Sequence, residues 1–160
     1  MAKTQITAKP GVPQVLMTRE FEAPRDLIFR AHNDPQLLTQ WLGPRNMAMT
    51  IDLYEGRDGG RWHFTHKDPD GNEFGFRGVF HGDPSIDGIV RTFEFEGAPG
   101  NVSLETATFE DRGGKTLLTM NAVYQSVEAR DAMIESGMED GVNQSMERLD
   151  ELVARLAPVR

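Results

Sequence analysis

The sequence predicts an α+β fold in which a curved antiparallel sheet of about seven strands wraps around a long C-terminal helix. Three observations carry this. Alternating apolar segments between residues 47 and 124 follow one another through short turns rich in Gly, Pro and Asp, and strands joined by tight turns run antiparallel. The one long amphipathic segment lies at the C-terminus, where it can cover the apolar face of that sheet. After the first strand, prolines introduce two short helices.

Residues 1–13 are polar, contain Pro10, Gly11 and Pro13, and read as a flexible arm; residues 14–157 read as a single domain. Residues 15–21 form the first strand, with Val15, Met17 and Phe21 on one face. Pro24 opens a helix over 25–32 that carries Leu27, Ile28 and Ala31 at helical spacing. Asp34 caps a second helix whose first position is Pro35; it carries Leu37, Leu38 and Trp41, and Gly43-Pro44 stops it. Met47, Met49, Ile51 and Leu53 then alternate with polar residues. Trp62, Phe64 and His66 do the same, and after the turn at 68–72, Phe74, Phe76 and Phe80 share a face. Residues 89–96, 102–110 and 116–124 complete the strands, separated by turns at 97–100 and 111–114. Ser126 caps a helical region that Gly137 breaks, and from Met138 a helix runs through Val142, Ser145, Leu149, Leu152 and Leu156 to Pro158.

Composition removes several function classes. The formal net charge is −8 and no basic residues cluster, which argues against a nucleic-acid partner, whose phosphates demand a basic surface. An acidic surface also repels anionic lipid headgroups. No cysteine is present, so disulfides, thiolate metal ligands and thiol nucleophiles are excluded. Residues 1–13 lack the apolar core of a signal peptide, and no run of about 20 apolar residues can span a bilayer. A cytoplasmic protein without membrane insertion is expected.

Asp58-Gly59-Gly60 invites a phosphate-loop reading, but the glycines lead into the alternating strand of Trp62 and Phe64, not into a helix N-terminus. They read as a tight turn that delivers Trp62 and Phe64 to the concave face. The histidines lack a second ligand at metal spacing, and His63 and His66 face opposite sides of a strand, so no metal or other cofactor is expected. Asp68-Pro69-Asp70-Gly71-Asn72 fails as a calcium loop because Glu73 and Val79 stand where glycine and the bidentate glutamate are needed. Ser103, Ser126 and Ser145 sit in no nucleophile motif, and no catalytic residue is assigned.

The order of elements, with Phe21-Glu22-Ala23-Pro24, Asp34-Pro35, Trp41-Leu42-Gly43-Pro44, Asp58-Gly59-Gly60 and Gly137-Met138-Glu139-Asp140-Gly141, resembles the START-like superfamily with the helix-grip fold. Within it, the chain is similar to the group named after the activator of heat-shock-protein-90 ATPase, C-terminal domain, over residues 14–156. Two positions depart from the pattern. Leu42 stands where many relatives have a second tryptophan, and Val142 where many have tryptophan after the helix glycine. Both remove aromatic bulk, so a relative's ligand shape does not transfer. The chaperone activator also carries a further N-terminal domain, where this chain has residues 1–13.

The resemblance implies a cavity between sheet and helix, often for an apolar ligand. The residues offer separate support. Gly141, Ser145, Leu149 and Leu152 share one helical face, and the small ones leave room beneath the helix. Opposite them come Trp41, Met47, Met49, Trp62, Phe64, Phe76, Phe93 and Met120. The alternative is that these side chains interdigitate as a solid core. Glu105 is open in the same way. Counting from the turn at 111–114 puts it inward; counting from the turn at 97–100 puts it level with Thr92, on the face opposite Phe93 and Phe95. The resemblance implies an inward glutamate, which needs a partner such as Arg91.

Three functions compete. The first is binding of a small apolar or amphipathic molecule in the cavity. The second is a cyclase- or isomerase-type enzyme using Glu105 with Arg91 or Tyr54. The third is a chaperone-interacting module, as the family name suggests. An exposed strand edge also allows a homodimer.

Overall fold

The alternation visible in the sequence builds each strand, and burial along β2 (Gln14–Phe21) follows it residue by residue. The computed structural model describes residues 3–156. The other elements are β1 (Gln5–Thr7), α1 (Arg25–Asn33), α2 (Pro35–Leu38), β3 (Ala48–Tyr54), β4 (Arg61–Lys67), β5 (Glu73–Val79), β6 (Ile89–Phe95), β7 (Val102–Arg112), β8 (Lys115–Val123), α3 (Val127–Glu135) and α4 (Met138–Leu156). The strands form one open antiparallel sheet in the order β1-β2-β8-β7-β6-β5-β4-β3. Between β3 and β8 every neighbour in space is a neighbour in sequence, so tight turns suffice. The chain crosses from β2, beside one edge, to β3 at the other edge through α1 and α2.

Local chemistry sets the helix boundaries. Asp34 accepts from the backbone N of Gln36 at 2.9 Å, with Pro35 at the first helical position. Ser126 accepts from the N of Ala129 at 3.0 Å. Gly137, at φ +88°, separates α3 from α4. The C-terminal half of α4 packs Leu149, Leu152 and Val153 into one cluster with Phe21, Ile28, Phe109 and Leu118. Each fully buried leucine contributes roughly 1.5–3 kcal/mol. Gly60 has no room for a side chain, since an added Cβ would sit 1.9 Å from the carbonyl O of Glu55. The turn before β4 is therefore a close backbone approach, and it sends Trp62 and Phe64 inward, where both are buried.

Four expectations need correction. The arm at 1–13 contains β1, which pairs with β2 and makes an eighth strand. Arg130 is buried and donates from Nη1 to the carbonyls of Lys9 at 2.9 Å and Gln14 at 3.2 Å, which holds the stretch between β1 and β2 in place. The alternation of β3 breaks, because the register against β4 shifts between Ile51 and Leu53. That bulge turns Tyr54, and not Leu53, toward the core. Glu94 pairs with Val102 across a longer loop than 97–100, so Glu105 is level with Arg91, not Thr92. Leu156 is exposed at the end of α4; the expected domain end at Ala157 and the expected helix stop at Pro158 lie outside the described residues.

Candidate ligand-binding site

A cavity of about 720 Å³ lies between the concave face of the sheet, α3 and the N-terminal half of α4. Its position follows from residue size along α4. Where α4 carries Leu149 and Leu152, the space beneath the helix is filled. Where it carries Gly141 and Ser145, the space is open. A Cβ added at Gly141 would meet only the Pro44 Cγ, at 3.9 Å. Solid core and cavity thus divide the interior between them.

The turn at 40–45 rims the cavity and is tied to α4. The backbone N of Gly43 donates to Ser145 Oγ at 2.8 Å. Arg148 donates from Nη1 to the Gly43 carbonyl at 2.8 Å and from Nη2 to the Gln40 carbonyl at 3.1 Å. Arg148 thereby satisfies carbonyls of the turn that follows α2. Gly43 has φ +98°, and its missing side chain makes room for the His66 ring.

The walls are aromatic and methionine-rich, and Arg91 and Glu105 are the lining residues with a full charge. They are cross-strand partners on β6 and β7, and Arg91 Nε donates to Glu105 Oε1 at 3.1 Å. The guanidinium lies 4.4 Å above the Trp62 ring, a cation–π contact that fixes its plane. Burial holds the His32 imidazole down at about 4, against a smaller upward pull from its hydrogen bond with the Ile28 carbonyl. Burial, then the Arg148 charge, also lowers His66. Both rings are neutral at pH 7. His32 Nδ1 donates to the Ile28 carbonyl O at 2.8 Å, while His32 Nε2 and His66 Nδ1 are buried without a partner among the described residues. Tyr54 donates to Asn33 Oδ1 at 2.8 Å, and burial pushes its hydroxyl up to about 12. Burial and then the Glu105 charge push Tyr124 up to about 12 as well. Both hydroxyls therefore stay protonated at pH 7.

Of the residues singled out from the sequence, Trp41, Met47, Phe64, Phe76, Arg91, Phe93, Glu105, Met120, Gly141 and Ser145 line the cavity. Trp62 and Met49 do not. Trp62 is a buried layer behind the wall, 4.6 Å from Phe64 and 5.8 Å from Phe93 between ring centroids. Met49 pairs with His66 and packs against the core from β3. The sequence reading missed His32, His66, Tyr124 and the α3 face of Ala129, Ala132 and Met133 as lining residues. For His66 the signal was present, because it shares the inward parity of Trp62 and Phe64. For α3 none was, since its weak amphipathicity hides which face turns inward. A second depression, about 610 Å³, lies between the β1 edge and α4, lined by charged side chains such as Arg19 and Asp150 that pair with one another.

An antiparallel sheet curved around a long C-terminal helix, with a cavity between them, defines a helix-grip protein of the START-like superfamily. The chain belongs to the family described as Activator of Hsp90 ATPase homolog 1-like protein, whose model matches residues 22–154. A crystal structure of a Rhodobacter sphaeroides protein is similar at TM-score 0.86 and 27% identity, over 96% of this chain and 99% of that one. A solution structure of an Arthrobacter aurescens protein matches at TM-score 0.87 and 24% identity, over 96% and 92%. A Mycobacterium smegmatis protein matches at TM-score 0.86 and 22% identity, over 99% and 100%; the likeness of these last two is one of fold. No curated protein matches the chain. No helix among the described residues is long and apolar enough to cross a membrane.

Proposed function

We propose that the protein binds a small hydrophobic or amphipathic molecule in the cavity between the sheet and α4. The observation that supports this is the cavity itself, about 720 Å³, walled by aromatic and methionine side chains and within the size range of small-molecule sites. Protein interiors are otherwise close-packed. At about 24 cal/mol per Å³, a dry void of this size costs on the order of 15 kcal/mol, more than most domains have in net stability. The space is therefore filled, by solvent or by a ligand, and its walls suit an apolar occupant. The chaperone-docking reading has less support. It calls for a broad exposed apolar patch, whereas on the sheet only the cross-strand pair Leu104 and Val123 is both large and more than 40% exposed among the described residues.

Gly141→Leu tests the proposal. The new side chain projects into open space, and leucine exceeds glycine in helix propensity by roughly 0.8–1 kcal/mol. The expected outcome is a melting temperature that holds or rises, with loss of binding of an uncharged apolar dye such as Nile red. Wild-type dye binding in a well-folded Gly141→Leu protein would remove the cavity as the binding site.

A further inference from the structure

We infer that the occupant carries a neutral polar head that both accepts and donates hydrogen bonds, such as an amide or a carbonyl beside a hydroxyl. Arg91 and Glu105 select this head over a carboxylate. The inference rests on the cavity reading above and adds the chemical class of the ligand and the residues that read it.

The first argument is hydrogen-bonding capacity. Arg91 spends Nε on Glu105 Oε1, and neither Nη1 nor Nη2 has a hydrogen bond among the described residues. The second carboxylate oxygen of Glu105 is equally without a partner among them. Both side chains line the cavity and are less than a fifth exposed, at 17% and 19%. The Trp62 ring at 4.4 Å covers the guanidinium face, so its free N–H groups lie at the edge of a fixed plane. Donors and an acceptor thus stand side by side in an apolar chamber, and unmatched they are costly to desolvate.

The second argument is charge. The pair sums to zero, and no other lining residue among those described adds to it, because burial keeps His32 and His66 neutral. A carboxylate entering this chamber loses its hydration and gains Arg91 only by displacing, or sitting beside, the like charge of Glu105. A neutral head with an acceptor and a donor satisfies both residues and leaves the ion pair intact.

The third argument concerns the body that carries the head. From Trp62, beneath Arg91, a row of tilted rings runs across the sheet: Phe93 to Phe76 at 5.5 Å and Phe76 to Phe95 at 5.2 Å between centroids, inclined at 33° and 31°. Such a row offers an extended aromatic wall to a rigid ring system.

Three probes with one ring body separate the terms: naphthalene, 2-naphthamide and 2-naphthoate, each titrated against the full chain by calorimetry. The expected ranking for the wild type places the amide at least about tenfold tighter than both others, because hydrogen bonds to charged groups are worth that much or more. Glu105→Gln keeps the side-chain shape and leaves Arg91 unopposed, so the preference should move to the naphthoate by about tenfold. If the variant does not fold, as read from its melting curve, the wild-type ranking decides alone. Naphthoate binding as tightly as naphthamide to the wild type, or equal binding of all three, overturns this inference and leaves the cavity reading standing. Failure of all three at millimolar concentration overturns both.

Discussion

Arg19 lies on the inward face of β2 between Met17 and Phe21, and α4 answers its charge through Asp150. Arg19 is buried while Asp150 reaches solvent, so the two halves of the pair are not equivalent. Removing the carboxylate strands a buried cation, whereas removing the cation frees an exposed anion. Asp150→Ala is therefore expected to cost about 1–2 kcal/mol, discounted for the exposed partner, and Arg19→Met less, as read from urea midpoints. Equal costs would show that the asymmetry of burial does not matter. The same strand logic explains which single residues the sequence reveals. Phe64, Phe76 and Phe93 follow from parity alone, because each sits in an unbroken alternation. Tyr54 and Glu105 do not: the face of Tyr54 depends on the extra residue of the bulge within β3, and the level of Glu105 against β6 on the length of the β6–β7 loop. Counting back from the β7–β8 hairpin gives Glu105 the correct face even though the observed pairing, with Ala122, is two residues away from the expected one. A shift of two preserves the face, and a shift of one reverses it.

At the scale of elements, turns decide where the cavity opens. Gly43 and Gly59 both have positive φ, at +98° and +73°, but their surroundings differ. A Cβ at Gly59 would meet nothing within 4 Å, whereas one at Gly43 would lie 2.4 Å from His66 Cε1. Gly59→Ala should thus carry only the backbone strain of about 1–2 kcal/mol. Gly43→Ala adds displacement of a buried ring and should cost about 3 kcal/mol in total. Chemical denaturation of the two variants measures the difference, and Gly43→Ala should also change dye binding because Gly43 lines the cavity. Equal stabilities would mean that the 40–45 turn yields freely. Both glycines are visible in the sequence as turn signals, but the weight of Gly43 is not, since His66 is distant in the chain. β1 escaped notice for a similar reason. Its three residues carry a single apolar side chain, Ile6, too few to show a period, and what orders the stretch after it is Arg130, far along the sequence on α3.

The architecture of the whole molecule was legible because it rests on local features: tight turns, alternating strands and one long helix at the end. Its pH response rests on long-range contacts and follows only from the structure. On the convex face His63 Nδ1 lies 2.6 Å from Asp52 Oδ2 and Nε2 lies 2.8 Å from Glu96 Oε1. Two carboxylate acceptors require a proton on both nitrogens. Partial burial pulls the His63 pKa down, but the hydrogen bonds with Glu96 and then Asp52 outweigh it, and the net shift is upward from 6.5. A raised folded pKa means that the stabilisation is complete below 6.5 and disappears as pH rises through the folded value. His32 acts in the opposite sense. Its unfolded form takes up a proton near 6.5 while burial delays the folded form until about 4, so stability falls as pH drops across that interval, by about 3 kcal/mol at its end. His66 is shifted in the same direction as His32. Two variants separate the contributions through urea midpoints at about pH 5 and about pH 9. His63→Gln should lose about 0.5–1 kcal/mol at the lower pH and little at the higher. His32→Phe should flatten the fall in stability on the acid side. A His63→Gln protein weakened more at pH 9 than at pH 5 would show that the imidazolium does not tie β3, β4 and the end of β6 together.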